Sequence, residues 1–191
     1  MLMNDLKGQL LLAMPSLQEP QFKDSVVLLC HHDESGSMGL IINRPQDISI
    51  ADVLTDIQLT LDEPSLEHLP ELQQHSYEGG PQDPFRGFVL HNRYFVYEST
   101  MQISPELHLT TSKDVLEQWV QQKGPDECML ILGYAGWSSG QLEQEILDNY
   151  WLITAASNEV VFHTPPELRW ALAAQSQGVD KARLSSQMGH A

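Results

Sequence analysis

Positive charge is what this chain most lacks. Lys and Arg total 10 against 26 Asp and Glu, a formal net charge of −16. Between Arg44 and Arg86 there is no Lys or Arg, while Asp47, Asp52, Asp56, Asp62, Glu63, Glu67, Glu71, Glu78 and Asp83 all fall there. Such a surface repels phosphate backbones and anionic lipid. Direct nucleic-acid binding and membrane association are therefore not expected, and the plainest use of the acidity is solubility. Cysteine is scarce as well. Cys30 and Cys128 are the only two, which excludes a disulfide framework and predicts free thiols. Long apolar runs are missing: Leu10–Met14 is too short for a membrane span or a secretory core, and it stops at Pro15. A cytoplasmic location is expected. CxxC, HExxH and P-loop lysine patterns are absent, as is any helix-turn-helix or zinc-finger signature.

What is present is an ordinary globular composition, 41% hydrophobic over 191 residues, which fits a single domain spanning residues 1–191. The first few residues and about 179–191 read as frayed ends. Val26–Cys30 and Gly39–Asn43 are apolar runs separated by turn residues from His32 to Ser37 and predict a hairpin with a longish loop. Ile50, Val53, Leu54, Ile57 and Leu61 then recur at helical spacing behind a Ser49 cap. Residues 62–84 read as an irregular connection with a short helix near Leu66. Gly87–His91 and Tyr94–Tyr97 predict a second hairpin, and Glu106–Thr110 a further short strand. A helix over 113–122, capped at Thr111 or Ser112, buries Val115, Leu116, Trp119 and Val120.

Glu127–Gly133 reads as a buried strand, followed by a glycine-rich loop, GYAGWSSG, and a helix over 141–149. Trp151–Ala155 and Val160–His163 pair as closing strands. A last helix starts at Pro165-Pro166 and runs through Leu168, Ala171 and Leu172. Hairpins alternating with helices predict an α+β fold with a mixed, largely antiparallel, partly closed sheet and several packed helices.

Three segments, GQLLLAMPSLQEPQFKDSVVLLCHHDESGSMGLIINRP, YEGGPQ with GFVLH, and LGYAGWSSGQLEQEILDNYWL, occur in an order and spacing that resemble the YqgE/AlgH family from about Gly8 to Ala191. Two positions depart from the family pattern. His31 stands where an acidic residue is common, and Gln82 follows Gly-Gly-Pro where Val is usual. The resemblance implies a compact α+β fold and a regulatory label, since one branch is called a transcriptional regulator. It implies no agreed reaction. With this charge, a regulatory role is expected to run through a protein partner.

The candidate functional surface comprises Cys30, His32, Asn43, Arg44, Gly79, Gly80, Pro81, His91, Tyr134, Gly136, Trp137 and Gln141. The loops carrying His32, Arg44, Gly80, His91 and Trp137 are expected to meet at one edge of the sheet. Alternation along a strand puts Cys30 and His32 on one face, where they would supply two zinc ligands, completed by His91, Cys128 or His163, or a thiolate–imidazole pair. The plainer reading is a buried cysteine followed by a loop histidine. Gly136–Gly140 matches G-x-S-x-G, and Ser138, Asp148 and His163 form a triad on paper, although the serine position looks free in the family. Arg44 would anchor an anion or neutralise Asp47 or Glu78. Gly79-Gly80-Pro81 reads as a turn, or as a close approach to a ligand. No cofactor is expected.

Overall fold

In the computed structural model of the chain, residues 5–59, 70–93 and 95–187 are described. The first hairpin forms from β2 (Val26–Asp33) and β3 (Gly36–Ile41), with β1 (Gln9–Ala13) beside β2. After β4 (Pro45–Ser49), α1 (Ile50–Asp56) opens on a reciprocal capping box between Ser49 and Asp52. Then come β5 (His75–Glu78), the long β6 (Gln82–His91), β7 (Thr100–Gln102) and β8 (His108–Thr110). α2 (Asp114–Val120) leads to β9 (Cys128–Ser138), α3 (Gln141–Leu147) and β10 (Trp151–Ala155), and α4 (Arg169–Gln175) and α5 (Lys181–Gln187) follow.

The strands form one curled, largely antiparallel sheet in the order β10-β1-β2-β3-β9-β6-β8-β7, with β4 and β5 off that path. β5 runs parallel to β9, so the sheet is mixed. β9 is its hub, pairing with β3, β5 and β6.

Strand alternation divides the core. Leu10, Leu12, Val26, Leu28, Ile131 and Phe88 point into one cluster with Trp170 and Ala174 of α4. Leu11, Val27, Leu29, Ala135 and Trp137 point the other way, under Leu142 of α3. Val89 and Leu130 pack under α1 and α2. Among the described residues no helix is long and apolar enough to cross a membrane.

Several expectations are corrected. The β2–β3 loop is short, because pairing continues to Asp33 and Gly36. The partner of β6 is not the 94–97 segment but β8 on one side and β9 on the other. Residues 95–97 hold no regular structure, and Tyr94, Leu61 and the helix expected near Leu66 lie outside the described residues. The glycine-rich segment is not a loop: β9 runs through it to Ser138. Val160–His163 belongs to a π-helical turn, and β10 pairs with β1.

α4 buries Arg169, Trp170, Ala173 and Ala174, whereas Leu168 and Leu172 are exposed. Neither Thr111 nor Ser112 caps α2. Lys113 occupies the cap position without a side-chain bond, and Ser112 donates to Asp114. Beyond Gly178, read from sequence as a frayed end, α5 forms and Lys181 pairs with Asp24.

Candidate functional site

A bulge governs the Cys30–His32 segment. Leu29 pairs with Gly39 and His31 with Met38, leaving Cys30 as the extra residue in β2. An inserted residue reverses the alternation beyond it. Cys30 accordingly lies in the cluster beneath α4, whereas His32 reaches Glu143 on α3, on the other side. The two do not share a face. Burial pushes the Cys30 thiol up to about 12, so it stays protonated.

His32 Nδ1 stands 2.8 Å from Ser37 Oγ, and its Nε2 stands 3.6 Å from Glu143 Oε1. This serine–histidine–carboxylate row was invisible in the sequence because it joins a hairpin to a distant helix. Its Ser37 is buried in the pairing of β3 with β9, so the row fastens the hairpin under α3 and offers no open nucleophile. The triad on paper is not assembled. Ser138 donates to Gln141, Asp148 accepts from Gln144, and His163 is held by Glu127 and Glu159. Those hydrogen bonds, that of Glu127 foremost, raise the pKa of His163. Among the described residues no group of three or more His, Cys, Asp or Glu is placed to hold a metal ion.

His91 is fully buried, opposite His108 on β8 and Cys128 on β9. Its Nδ1 donates to the Arg93 carbonyl at 2.9 Å, which leaves Nε2 to accept from Thr110 Oγ1, also at 2.9 Å. Thr110 in turn accepts from Thr100 Oγ1, and Thr100 accepts from the Tyr97 amide. With His91 neutral the chain runs in one direction, from Thr100 through Thr110 to the imidazole. Burial, with a smaller contribution from His108, lowers the His91 pKa despite the Arg93 bond, and burial lowers that of His108 too.

Arg44 does not pair with Asp47 or Glu78. Its guanidinium donates to the Gln21, Lys23 and Pro20 carbonyls, and Asn43 bridges Val26 N–H and the Asp24 carbonyl. Both residues hold the 20–24 turn against the sheet. Gly79 and Gly80 make a close approach, but to backbone. A Cβ on Gly79 would stand 2.2 Å from the Gly133 carbonyl oxygen, and one on Gly80 2.3 Å from the Tyr134 carbonyl. Pro81 is exposed beyond them.

Gly133 (φ +80) changes the phase of β9: Ile131 and Tyr134 pack against one cluster, and Leu130, Ala135 and Trp137 face away from it. Trp137 is a packing wedge. Its indole N–H and that of Trp151 both donate to Glu145 Oε2, at 2.9 and 2.8 Å, with Phe22 against both rings. Gln141 ties Ser138 to Glu145, while Gly136 is exposed with room beside it. Thus His32, Trp137 and Gln141 gather under or beside α3, Arg44 and Asn43 at the 20–24 turn, and His91 near β8. They do not line one cleft.

A different feature does form a cleft. Between α1 and α2 an apolar groove of about 180 Å³ is lined by Val53 and Ile57 of α1, Leu116 of α2, and Val89, Leu130 and Leu132 of the sheet. Gly87 and the segment Thr111, Ser112 and Lys113 also line it. Four residues, Asp83 to Arg86, stand between Gln82 and Gly87 where β9 has only Gly133, so this segment bulges out of the sheet. It carries Phe85 to the groove's lip, 95% exposed. Leaving a phenylalanine in water forgoes about 1.5–3 kcal/mol of burial. No motif marks this groove in the sequence. The available signal was Pro84-Phe85, an apolar interruption in an otherwise polar connection.

The model of the AlgH-like family, DUF179, matches residues 10–182. A UPF0301 protein of Ralstonia pickettii is 46% identical over 187 residues, 98% of this chain and 96% of the relative. One from Methylococcus capsulatus is 44% identical over 185 residues, 97% and 96% of the two chains. Among solved structures, the AlgH protein of Pseudomonas aeruginosa superposes with a TM-score of 0.79 at 41% identity, covering 98% of this chain and 97% of that one. A Corynebacterium diphtheriae protein shares the fold at 21% identity, with a TM-score of 0.70 over 93% and 90% of the two chains. With a family match over most of its length and near full-length relatives at this identity, the chain belongs to the AlgH-like, UPF0301 family.

Proposed function

We propose that the protein is an interaction module that seats an apolar segment of a protein partner in the groove between α1 and α2, and that any regulatory effect runs through that partner. The observation carrying this reading is Phe85, 95% exposed on the lip of an apolar groove. Single exposed apolar side chains are ordinary, whereas one that borders a concave apolar surface marks a contact site. The net charge of −16 argues against autonomous DNA binding. An enzyme built on Cys30, His32, His91 or Ser138 gains no support from buried or hydrogen-bonded side chains that do not converge.

A photo-crosslinking amino acid at position 85, introduced in bacterial cells, tests the proposal. Discrete crosslinked products are expected from position 85 and not from Leu147, which is 68% exposed on α3. Val53→Asp should abolish them. Equal products from both positions, or none from 85, would remove the groove from contention.

A further inference from the structure

The groove is lined by apolar and neutral residues apart from Lys113, but acidic residues neighbour that lining along the chain. α1 comes from the stretch between Arg44 and Arg86 that holds no Lys or Arg, whereas the β6 bulge carries one charge of each sign, Asp83 and Arg86. On α1, Asp52 and Asp56 lie next to the lining residues Val53 and Ile57, and Asp83 begins the bulge that carries Phe85. On α2, Asp114 and Glu117 flank the stretch that leads to and follows Leu116. Hydrogen bonds from Ser49 hold Asp52 below the usual carboxylate range. For Asp114, burial opposes ionisation, but bonds from Ser112 and the Glu98 amide outweigh it. Both are anionic at neutral pH. Lys113, at the start of α2, is the one cation among the described lining residues.

Resting on the interaction reading above, we infer that the occupant of this groove is a cationic amphipathic segment of a partner protein. An apolar side chain of that segment packs against Phe85 and Val53, and flanking Lys or Arg side chains meet the carboxylates of α1. Charge complementarity decides among occupants. A second copy of this chain would bring like-charged walls together, and an acidic segment would be repelled in the same way. Lys113 gives the occupant a direction, with its basic residues toward α1 and away from the start of α2. The small volume of the cavity points the same way, since it seats one or two side chains and leaves the rest of the attraction to the rim.

Three synthetic peptides, titrated into isotope-labelled full-length protein, provide the test. The first has Leu and Phe at helical spacing flanked by Lys, the second carries Glu for every Lys, and the third keeps the Lys with Ser for the apolar residues. The first should shift the amide resonances of Val53, Gly87, Val89 and Thr111, and its Kd should rise at least tenfold in Phe85→Ser. Asp56→Lys with Glu117→Lys should weaken the first peptide and strengthen the second. Equal binding of the first two peptides, or of the first and third, overturns the inference. So does binding of the first that survives Phe85→Ser. If crosslinks form at position 85 in cells while the Lys peptide fails, the interaction reading stands and the cationic partner is excluded. If the peptide binds as described and no crosslink forms, the cationic preference stands and the cellular reading falls.

Discussion

The two halves of β9 face helices in opposite ways. From Gly133 to Ser138, where the recognisable motif lies, the strand is locked. Gly79 and Gly80 press on its backbone, Trp137 shares a carboxylate with Trp151, and Ser138 is tied through Gln141 to α3. From Cys128 to Leu132 the sequence is plain apolar strand, and its outward residues Leu130 and Leu132 floor an open groove. The residues that identify this family are thus chiefly those that build its tightest contacts. The groove proposed above for a partner is made of residues with no signature.

That contrast can be broken most forcefully at Gly133. Gly133→Ala places a Cβ 2.7 Å from the Gly80 carbonyl oxygen at a φ of +80. It should cost about 3–5 kcal/mol from backbone strain and overpacking together, read from urea unfolding. A loss below about 1 kcal/mol would show that the lock is slack. Next is Glu145→Ala, which strands two indole donors and should cost about 2–3 kcal/mol. Glu145→Gln keeps an accepting oxygen and should recover part of that; equal losses would deny the shared-acceptor role.

A third effect is pH dependence. His91 and His108 are held below their ordinary 6.5 by burial, so the unfolded chain takes up protons first as pH falls. The stability they contribute is complete above about 6.5 and drains away below it, toward their folded values. The urea midpoint should therefore fall between pH 7.5 and 5.5, and fall less in His91→Phe; identical slopes would refute the assignment. Smallest of all, Phe85→Ser should change stability by no more than about 0.5 kcal/mol. A larger loss would make Phe85 part of the core and erase the contrast between the two halves.

The sequence announced the α1 capping box, the first hairpin and the buried start of β9, because periodicity and caps are local signals. It misled at Gly133 and Cys30, where one residue shifts the phase of a strand and the residues beyond change sides. Local pattern cannot register such a shift, since it depends on the chain across the sheet (Gly80 against Gly133, and β3 against Cys30) and not on the residue's own neighbours. For the same reason Val160–His163 read as strand: its apolar run was consistent with either state, and packing against α4 decided it. The candidate residues were legible as unusual types, but a glycine that admits a backbone and one that admits a ligand look alike. The groove was hidden because four elements far apart in the chain make it.

The pairing of β1 with β10 has a consequence for synthesis. Gln9 lies opposite Ala155, so β1 waits for a strand that is made much later. At typical translation speeds that interval is about ten to thirty seconds, during which one edge of β1, with leucines at 10, 11 and 12, has only β2 beside it. A nascent chain stalled before residue 150 is therefore expected to expose that apolar edge until β10 is made.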